Sequence, residues 1–312
     1  MRIGITGGAG FIGSNLAEAL VNEGHEVIVL DDFSSGLLSN LSPFVNKIID
    51  GSLVDYKLVL QFVDRVDYVF HLGARGSVPR SIAAPQQTFE ANVLGTQNLL
   101  EAIKTTKVPL VFSSSSSVYG DNPELPKSEN LKLSPISPYA ASKASAEYLI
   151  RSYAHCYGLE CKIFRFFNVY GPRQRPDHVY SAVIPKWIWS ALQNTELQIF
   201  GDGEQRRDFT FVGDVVSILI DSMTWKTNSS DPINLALGNP VSLNSLIDLL
   251  RNWFPEVKVA YYPKRPGDIT ASYNEPTRLK ELVANLLPTP LESGLLATIM
   301  WLKGEAKRAK ET

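Results

Sequence analysis

Cysteine is scarce in this chain, and so is any excess of charge. Two cysteines in 312 residues, Cys156 and Cys161, are too few and too close together for a disulfide framework or a four-ligand zinc site, which suits a reducing compartment. Lysine and arginine number 30 against 32 aspartates and glutamates, a formal net charge of -2. No global basic field exists to hold a nucleic-acid backbone or an anionic membrane surface, so an anionic ligand must be met locally. No apolar run is long enough to span a bilayer, and residues 1–6 read as strand without the charged-then-apolar pattern of a secretory signal. The expectation is a cytoplasmic protein that engages neither nucleic acid nor membrane and carries no metal.

What is present is apolar material, 44% of the residues, enough to pack one large domain and a smaller one. Short β-rich runs at residues 2–6, 26–30, 47–49, 68–72, 110–113 and 162–166 alternate with helix-length segments. That alternation predicts βαβ units and a parallel sheet covered by helices, a doubly wound α/β fold of the Rossmann type. After about residue 170 prolines and Gly201-Asp202-Gly203 break the alternation. Residues 1–170 are expected to bind a dinucleotide, with return segments at about 208–236. Residues 171–312 are expected to form a smaller, mainly substrate-binding α/β region.

Thr6-Gly7-Gly8-Ala9-Gly10-Phe11-Ile12-Gly13 follows the first strand and opens a helix. In that position Gly7, Gly10 and Gly13 permit a tight turn and a close backbone approach to a pyrophosphate, while the helix start at Phe11 and Ile12 offers unpaired N–H groups to the anion. The second strand runs into Asp31-Asp32, acids placed where the ribose 2′-hydroxyl of NAD is met. No lysine or arginine occurs between Arg2 and Lys47, so nothing beside Asp31 can pair with a 2′-phosphate. NAD is favoured over NADP.

The fifth strand runs into five serines, Ser113 to Ser117, and then Val118-Tyr119-Gly120. A serine run alone reads as a flexible linker, but ligands of a doubly wound sheet lie at the carboxyl ends of its strands, where these hydroxyls emerge. Further on, Ser137-Pro138-Tyr139-Ala140-Ala141-Ser142-Lys143 begins a helix that sets Tyr139 and Lys143 on one face. A phenol is a poor base at neutral pH, and a nearby ammonium and a positive nicotinamide ring both favour its phenolate. A serine hydroxyl bonded to the same substrate oxygen is expected to relay the proton.

Taken in order, these motifs resemble those of the extended short-chain dehydrogenases/reductases, and among them the nucleotide-sugar epimerases. The likeness extends through His71-Leu72-Gly73-Ala74, Asn92-Val93-Leu94-Gly95-Thr96, residues 113–120, residues 165–173, residues 201–209 and Arg265-Pro266-Gly267-Asp268. It implies an NAD-dependent 4-epimerase in which Ser115, with an error of one place in the run still open, joins Tyr139 and Lys143 as the catalytic set. By the same resemblance NAD also meets Ser35, Gly36, Ser52, Leu53, Leu72, Ala74, Asn92, Ser113 and Phe166. The substrate would meet Ser77, Ser115, Tyr139, Asn168, Val183, Gln205, Arg207, Arg265, Asp268 and Ser272. Asn168, Arg207 and Arg265 match holders of the diphosphate and glycosyl oxygen, and Asp268 a ribose or uridine contact. Two departures stand out: Gly51-Ser52-Leu53 where the family often has Gly-Asp-Ile near the adenine, and Asn274 where it often has aspartate.

Related dehydratases and decarboxylases generally carry an acid after the strand-end hydroxyl, and no Asp or Glu occurs between Ser113 and Tyr119. An epimerase is therefore expected ahead of a 4,6-dehydratase, and the Tyr-Lys pair argues against a regulator without turnover. Ser272 stands at what resembles the gatekeeper position, where a small hydroxyl leaves room for an N-acetyl group. The implied substrates are UDP-GlcNAc and UDP-GalNAc, with UDP-Glc and UDP-Gal as a slower pair and UDP-glucuronate open through Arg75 or Arg80. A homodimer through the helices around residues 92–103 and 139–153 is implied by analogy.

Overall fold

The computed structural model describes residues 1–41, 43, 45–176, 182–226, 229–264, 271–283 and 287–311, with residues 309–311 described by backbone alone. The chain divides into two compact units. The first comprises Met1–Asn122, Glu129–Phe166 and Val216–Leu235, and the second Pro123–Ser128, Phe167–Val215 and Ala236–Thr312.

The first unit is built on seven parallel strands: β1 (Arg2–Thr6), β2 (Glu26–Asp31), β3 (Lys47–Asp50), β4 (Tyr68–His71), β5 (Leu110–Ser115), β6 (Cys161–Phe166) and β7 (Ile233–Leu235). Their spatial order is β7-β6-β5-β4-β1-β2-β3. The chain moves outward from β1 to β3, then crosses back to start β4 on the other side of β1, so the strand order reverses between β1 and β4. A crevice at the carboxyl ends of such a pair is where a doubly wound sheet takes its ligand. The register sets Thr6 beside His71 at that end.

The helices that flank this sheet are α1 (Phe11–Asn22), α2 (Tyr56–Val63), α3 (Val78–Ala83), α4 (Pro85–Phe89), α5 (Gly95–Thr106) and α6 (Pro138–Tyr157), with a π turn, Glu90–Leu94, between α4 and α5. Local chemistry sets their ends. The Asp55 side chain accepts from the N–H groups of Lys57 and Leu58 at the start of α2, satisfying donors that a helix leaves unpaired. Ser137 caps α6 and Pro138 occupies its first position, while Gly158 at φ +63° closes it. Apolar residues of α2 (Val59, Phe62, Val63), α5 (Leu99, Leu100, Ile103) and α6 (Ala146, Ile150) share one core with Ile28, Val69, Leu110, Phe112 and Ile163 of the strands.

The sequence reading ended the fifth strand at Ser113. The structure carries it to Ser115, with Ser113, Ser114 and Ser115 paired to Phe164, Arg165 and Phe166. Serine has little preference for strand, and the pairing partner rather than local propensity decides the matter.

The second unit is made of shorter pieces. Strand Arg206–Asp208 pairs antiparallel with Pro240–Ser242 and parallel with Ala271–Ser272, and Leu197–Phe200 pairs with Val259–Tyr262. Helices Val183–Leu192, Leu243–Arg251 and Leu291–Glu311 supply Ile184, Trp187, Ile188, Leu246, Leu250, Leu295, Ile299 and Leu302 to its core. Among the described residues no helix is long and apolar enough to cross a membrane.

Candidate active site

The glycine turn lies at the crevice between β1 and β4. Gly7 takes φ +69°, and its N–H donates to Leu30 O at 2.8 Å. A Cβ at Gly7 would stand 2.6 Å from Gly73 Cα, and one at Gly13 2.3 Å from Gly7 O, so the turn closes only around glycine. Gly10 is the N-cap of α1 and makes no side-chain cap. Phe11, Ile12 and Gly13 thus begin a twelve-residue helix whose first N–H groups are left for a ligand, and an anion is the partner that helix start favours. Gly36 is buried against this turn, where a Cβ would meet Ala9 Cβ at 2.7 Å.

Asp31, at the end of β2, is buried. Its carboxylate accepts from Ala9 N at 2.8 Å and from Phe33 N at 2.9 Å. Burial pushes its pKa up, against those two backbone bonds, and the nearby charges of Asp32 and Asp50 add to the rise. Two lone-pair sites on the carboxylate remain for further donors such as a pair of ribose hydroxyls. Asp32 is turned to its own loop, accepting from Ser34 N at 2.9 Å and Ser34 Oγ at 2.5 Å, and Ser35 is exposed beside it. Ser52 Oγ accepts from Val54 N at 3.2 Å. Leu53, Leu72 and Ala74 are half-buried. These residues fit a dinucleotide: a glycine cradle, an open helix start and an acid at the tip of the next strand.

Asn92 is buried in the π turn and clips two segments together. Its Oδ1 accepts from Arg75 N at 2.7 Å and its Nδ2 donates to Ser142 Oγ at 2.9 Å. His71 sits between two threonines, Nδ1 at 2.7 Å from Thr6 Oγ and Nε2 at 2.9 Å from Thr96 Oγ. Because Thr96 Oγ donates to Asn92 O, its partner Nε2 must carry the imidazole proton and Nδ1 must accept. Burial holds the imidazole neutral, with a pKa pulled down to about 3, and the charge of Lys143 adds to the effect.

The hydroxyls at the end of β5 diverge. Ser113 Oγ donates to His71 O at 3.2 Å, and Ser114 Oγ donates to Glu147 Oε1. Ser115 is the member of the run whose hydroxyl pulls the Tyr139 phenol's pKa down. It also accepts from Ser117 N at 3.2 Å and Ser117 Oγ at 2.9 Å. Tyr139 is the second residue of α6, and its N–H donates to the buried Ser81 Oγ of α3 at 3.0 Å. Ser77 caps that same α3, accepting from Arg80 N at 3.3 Å.

Lys143 is buried, donates to Ser113 O at 2.7 Å and lies 4.7 Å from the centroid of the Phe112 ring. Burial pulls its pKa down to about 7, with the Glu147 charge opposing. Burial raises the Tyr139 phenol, and the bond from Ser115 pulls it back. The Lys143 ammonium gives one of its three donors to the Ser113 carbonyl.

Sequence reasoning missed what stands beneath this corner. Arg165 of β6 forms a two-pronged pair with Glu147, Nε to Oε1 at 3.0 Å and Nη2 to Oε2 at 2.7 Å. Its Nη1 donates to Tyr119 Oη at 2.8 Å, and Tyr119 Oη donates to Asn234 Oδ1 at 2.6 Å. Extending the helical face that carries Tyr139 and Lys143 by one more turn arrives at Glu147, which was the available signal. Phe166 ends β6 opposite Ser115.

In the second unit, Asn168 takes the left-handed φ of +25°, and Val183 is the first residue of Val183–Leu192. Arg207 and Ser272 are brought side by side in the register of neighbouring strands, and both are half-buried. Gln205 is buried and turned to its own loop, Nε2 donating to Phe200 O. Its Oε1 is buried without a hydrogen-bond partner among the described residues. Arg265 and Asp268 lie outside the described residues.

Residues 3–236 match the model of the NAD dependent epimerase/dehydratase family. The chain is similar to the UDP-N-acetylglucosamine 4-epimerase of Methanobrevibacter ruminantium M1, solved in complex with UDP-N-acetylmuramic acid: 36% identity, TM-score 0.92, with 97% of this chain and 98% of that one covered. It is similar to the UDP-glucose 4-epimerase of Mycolicibacterium smegmatis, 34% identical over 98% of this chain and all of that protein, 100%. It is also similar to the UDP-glucuronate 4-epimerase of Thermodesulfobacterium geofontis, 35% identical over 96% of this chain and 95% of that protein.

Proposed function

The chain belongs to the NAD dependent epimerase/dehydratase family, and from that premise we propose that it is a cytoplasmic UDP-sugar 4-epimerase whose preferred pair is UDP-GlcNAc and UDP-GalNAc. The first unit takes the NAD and the second takes most of the substrate. The observation that carries the reaction class is the corner where the Ser115 hydroxyl lowers the Tyr139 phenol's pKa and Lys143 is anchored on Ser113, with no carboxylate in the run from Ser113 to Tyr119. Elimination of water or loss of carbon dioxide needs an added acid or a different proton route there.

NAD, held by the glycine turn and Asp31, supplies the hydride acceptor and donor when bound. The protein's share is orientation and proton management. Tyr139, as phenolate, takes the proton from the sugar's 4-hydroxyl as carbon 4 is oxidised. Ser115 donates a hydrogen bond to the same oxygen, which steadies the 4-keto sugar. Arg207, with Arg265 and Asn168, holds the diphosphate while the keto ring turns over, since arginine is built for paired contacts with phosphate oxygens. Tyr139 then returns its proton to O4 and ends as it began. Lys143 adds positive charge to this corner from its anchor on Ser113 O.

Support for the N-acetylated sugar comes from Ser272, a small half-buried residue beside Arg207. Exposed Phe89, Leu94 and Tyr148, on α4, the π turn and α6, support a homodimer through these helices. The deciding experiment incubates the protein, without added reductant, with UDP-GlcNAc, UDP-Glc and UDP-glucuronate separately and follows each 4-epimer by proton NMR. UDP-GalNAc formed fastest supports the proposal. UDP-Gal alone leaves the chemistry and removes the sugar assignment, and a UDP-galacturonate product moves it to the uronates.

A further inference from the structure

The bonds around Ser115 carry a consequence for the direction of proton flow. A hydroxyl oxygen has two lone pairs and one proton. Ser117 donates twice to Ser115 Oγ, from its N–H at 3.2 Å and from its own hydroxyl at 2.9 Å, which occupies both lone pairs. The short 3₁₀ turn Ser116–Tyr119 that follows β5 holds Ser117 in this place, with Ser115 as its N-cap. The one bond Ser115 still has to give is its proton, and the phenol whose pKa this hydroxyl lowers is that of Tyr139.

We propose that Ser117 is a positioning residue that leaves Ser115 only its proton to give, so that Ser115 is a permanent donor and never a proton relay. A relay must accept one proton while releasing another, and a filled oxygen has no room to accept. The substrate proton therefore passes straight from O4 to the Tyr139 oxygen, one O–H bond broken and one formed. Ser115 donates to whichever oxygen carries the negative charge. The same constraint favours phenolate over phenol, because a neutral phenol must find another acceptor for its own proton. The titratable neighbours of the corner are Lys143 and Glu147 on α6 and His71 on β4; none of them bonds Ser115.

This inference rests on the reading of Tyr139 as the base, so its test has two arms. In Ser117→Ala the N–H bond remains and one lone pair of Ser115 is freed to accept from a neutral phenol. The kinetic pKa on the acid side of kcat is expected to rise by about one unit, with kcat at neutral pH lowered about tenfold and recovered at higher pH. Ser117→Thr keeps the hydroxyl and is expected to keep the wild-type profile. The second arm titrates the holoenzyme carrying ring-13C-labelled tyrosine by NMR, assigning Tyr139 by its loss in Tyr139→Phe. There the Tyr139 pKa is expected to rise in Ser117→Ala and not in Ser117→Thr, whether or not any UDP-sugar is turned over. An unchanged Tyr139 titration in Ser117→Ala overturns the inference. A moved titration in a protein with no epimerase activity leaves it standing and overturns the reading of function instead.

Discussion

Lys143 and Glu147 stand one turn apart on α6, both buried, and each is tied to a different strand: the ammonium to Ser113 O on β5, the carboxylate to Arg165 on β6. The helix that presents Tyr139 is thus tied to both strands by charged groups. Burial lowers the Lys143 pKa and the Glu147 charge raises it, so one carboxylate serves the ion pair and sustains the lysine's charge.

Glu147→Gln keeps the shape but removes the charge, leaving the Arg165 guanidinium buried at 4% side-chain exposure without a counter-charge. Breaking such a pair from one side costs about 3–5 kcal/mol, whereas replacing both members with apolar groups of similar size is often neutral. Urea unfolding should show this loss in the single variant and a smaller one in Glu147→Leu with Arg165→Met. A double variant less stable than the single one would mean that the pair is not the source of the effect.

Lys143 gives stability a pH dependence whose sign is determined. Its ordinary pKa is 10.5 and its folded value about 7, so between these the unfolded chain holds more protons than the folded one. Stability therefore rises with pH across that window, and the penalty of burying the ammonium is present in full below about 7. In Lys143→Met the penalty is gone. Its stability relative to wild type should be greatest below pH 7 and shrink as pH rises, read from unfolding midpoints at a series of pH values. A constant offset would refute the assignment.

Gly13→Ala places a Cβ 2.3 Å from Gly7 O, whereas one at Gly76 meets nothing within 4 Å. The obstacle is backbone and cannot swing aside, so the turn must open, at a cost on the order of 1–3 kcal/mol. Gly13→Ala should be purified with much less NAD than wild type, measured as the cofactor released on denaturation, and Gly76→Ala with the same amount. Equal NAD in both would remove the glycine turn from the cofactor site.

The six strands of the alternating half could be read from residues because each is a continuous β-rich run whose neighbours follow within one helix. The glycine turn could be read because Gly7 and Gly13 admit no other side chain. The fate of the serine run could not: its last strand residues are specified by Phe164–Phe166, some fifty positions on, and only the folded pairing separates Ser114, which turns to Glu147, from Ser115, which bonds Ser117 and lowers the Tyr139 phenol's pKa. The second unit was opaque for a related reason. Its strands of two or three residues, such as Ala271–Ser272 against Arg206–Asp208, are too short to carry a period.

Ser272 and Arg207 share that pairing, and substitutions at them separate two roles. Arg207→Ala removes a contact to the part of the substrate that does not react, a uniform binding contribution that raises KM for every UDP-sugar with little change in kcat. Ser272→Tyr fills space where a substituent at carbon 2 is proposed to lie. It should reduce kcat/KM for UDP-GlcNAc relative to UDP-Glc on the order of tenfold or more, because a pocket discriminates against a group that no longer fits while sparing one that never used the room. Both ratios come from initial rates with the two sugars on the same preparations. If Ser272→Tyr slows the two sugars equally, the residue does not face carbon 2, and the preference for the acetamido sugar must be set elsewhere in the chain.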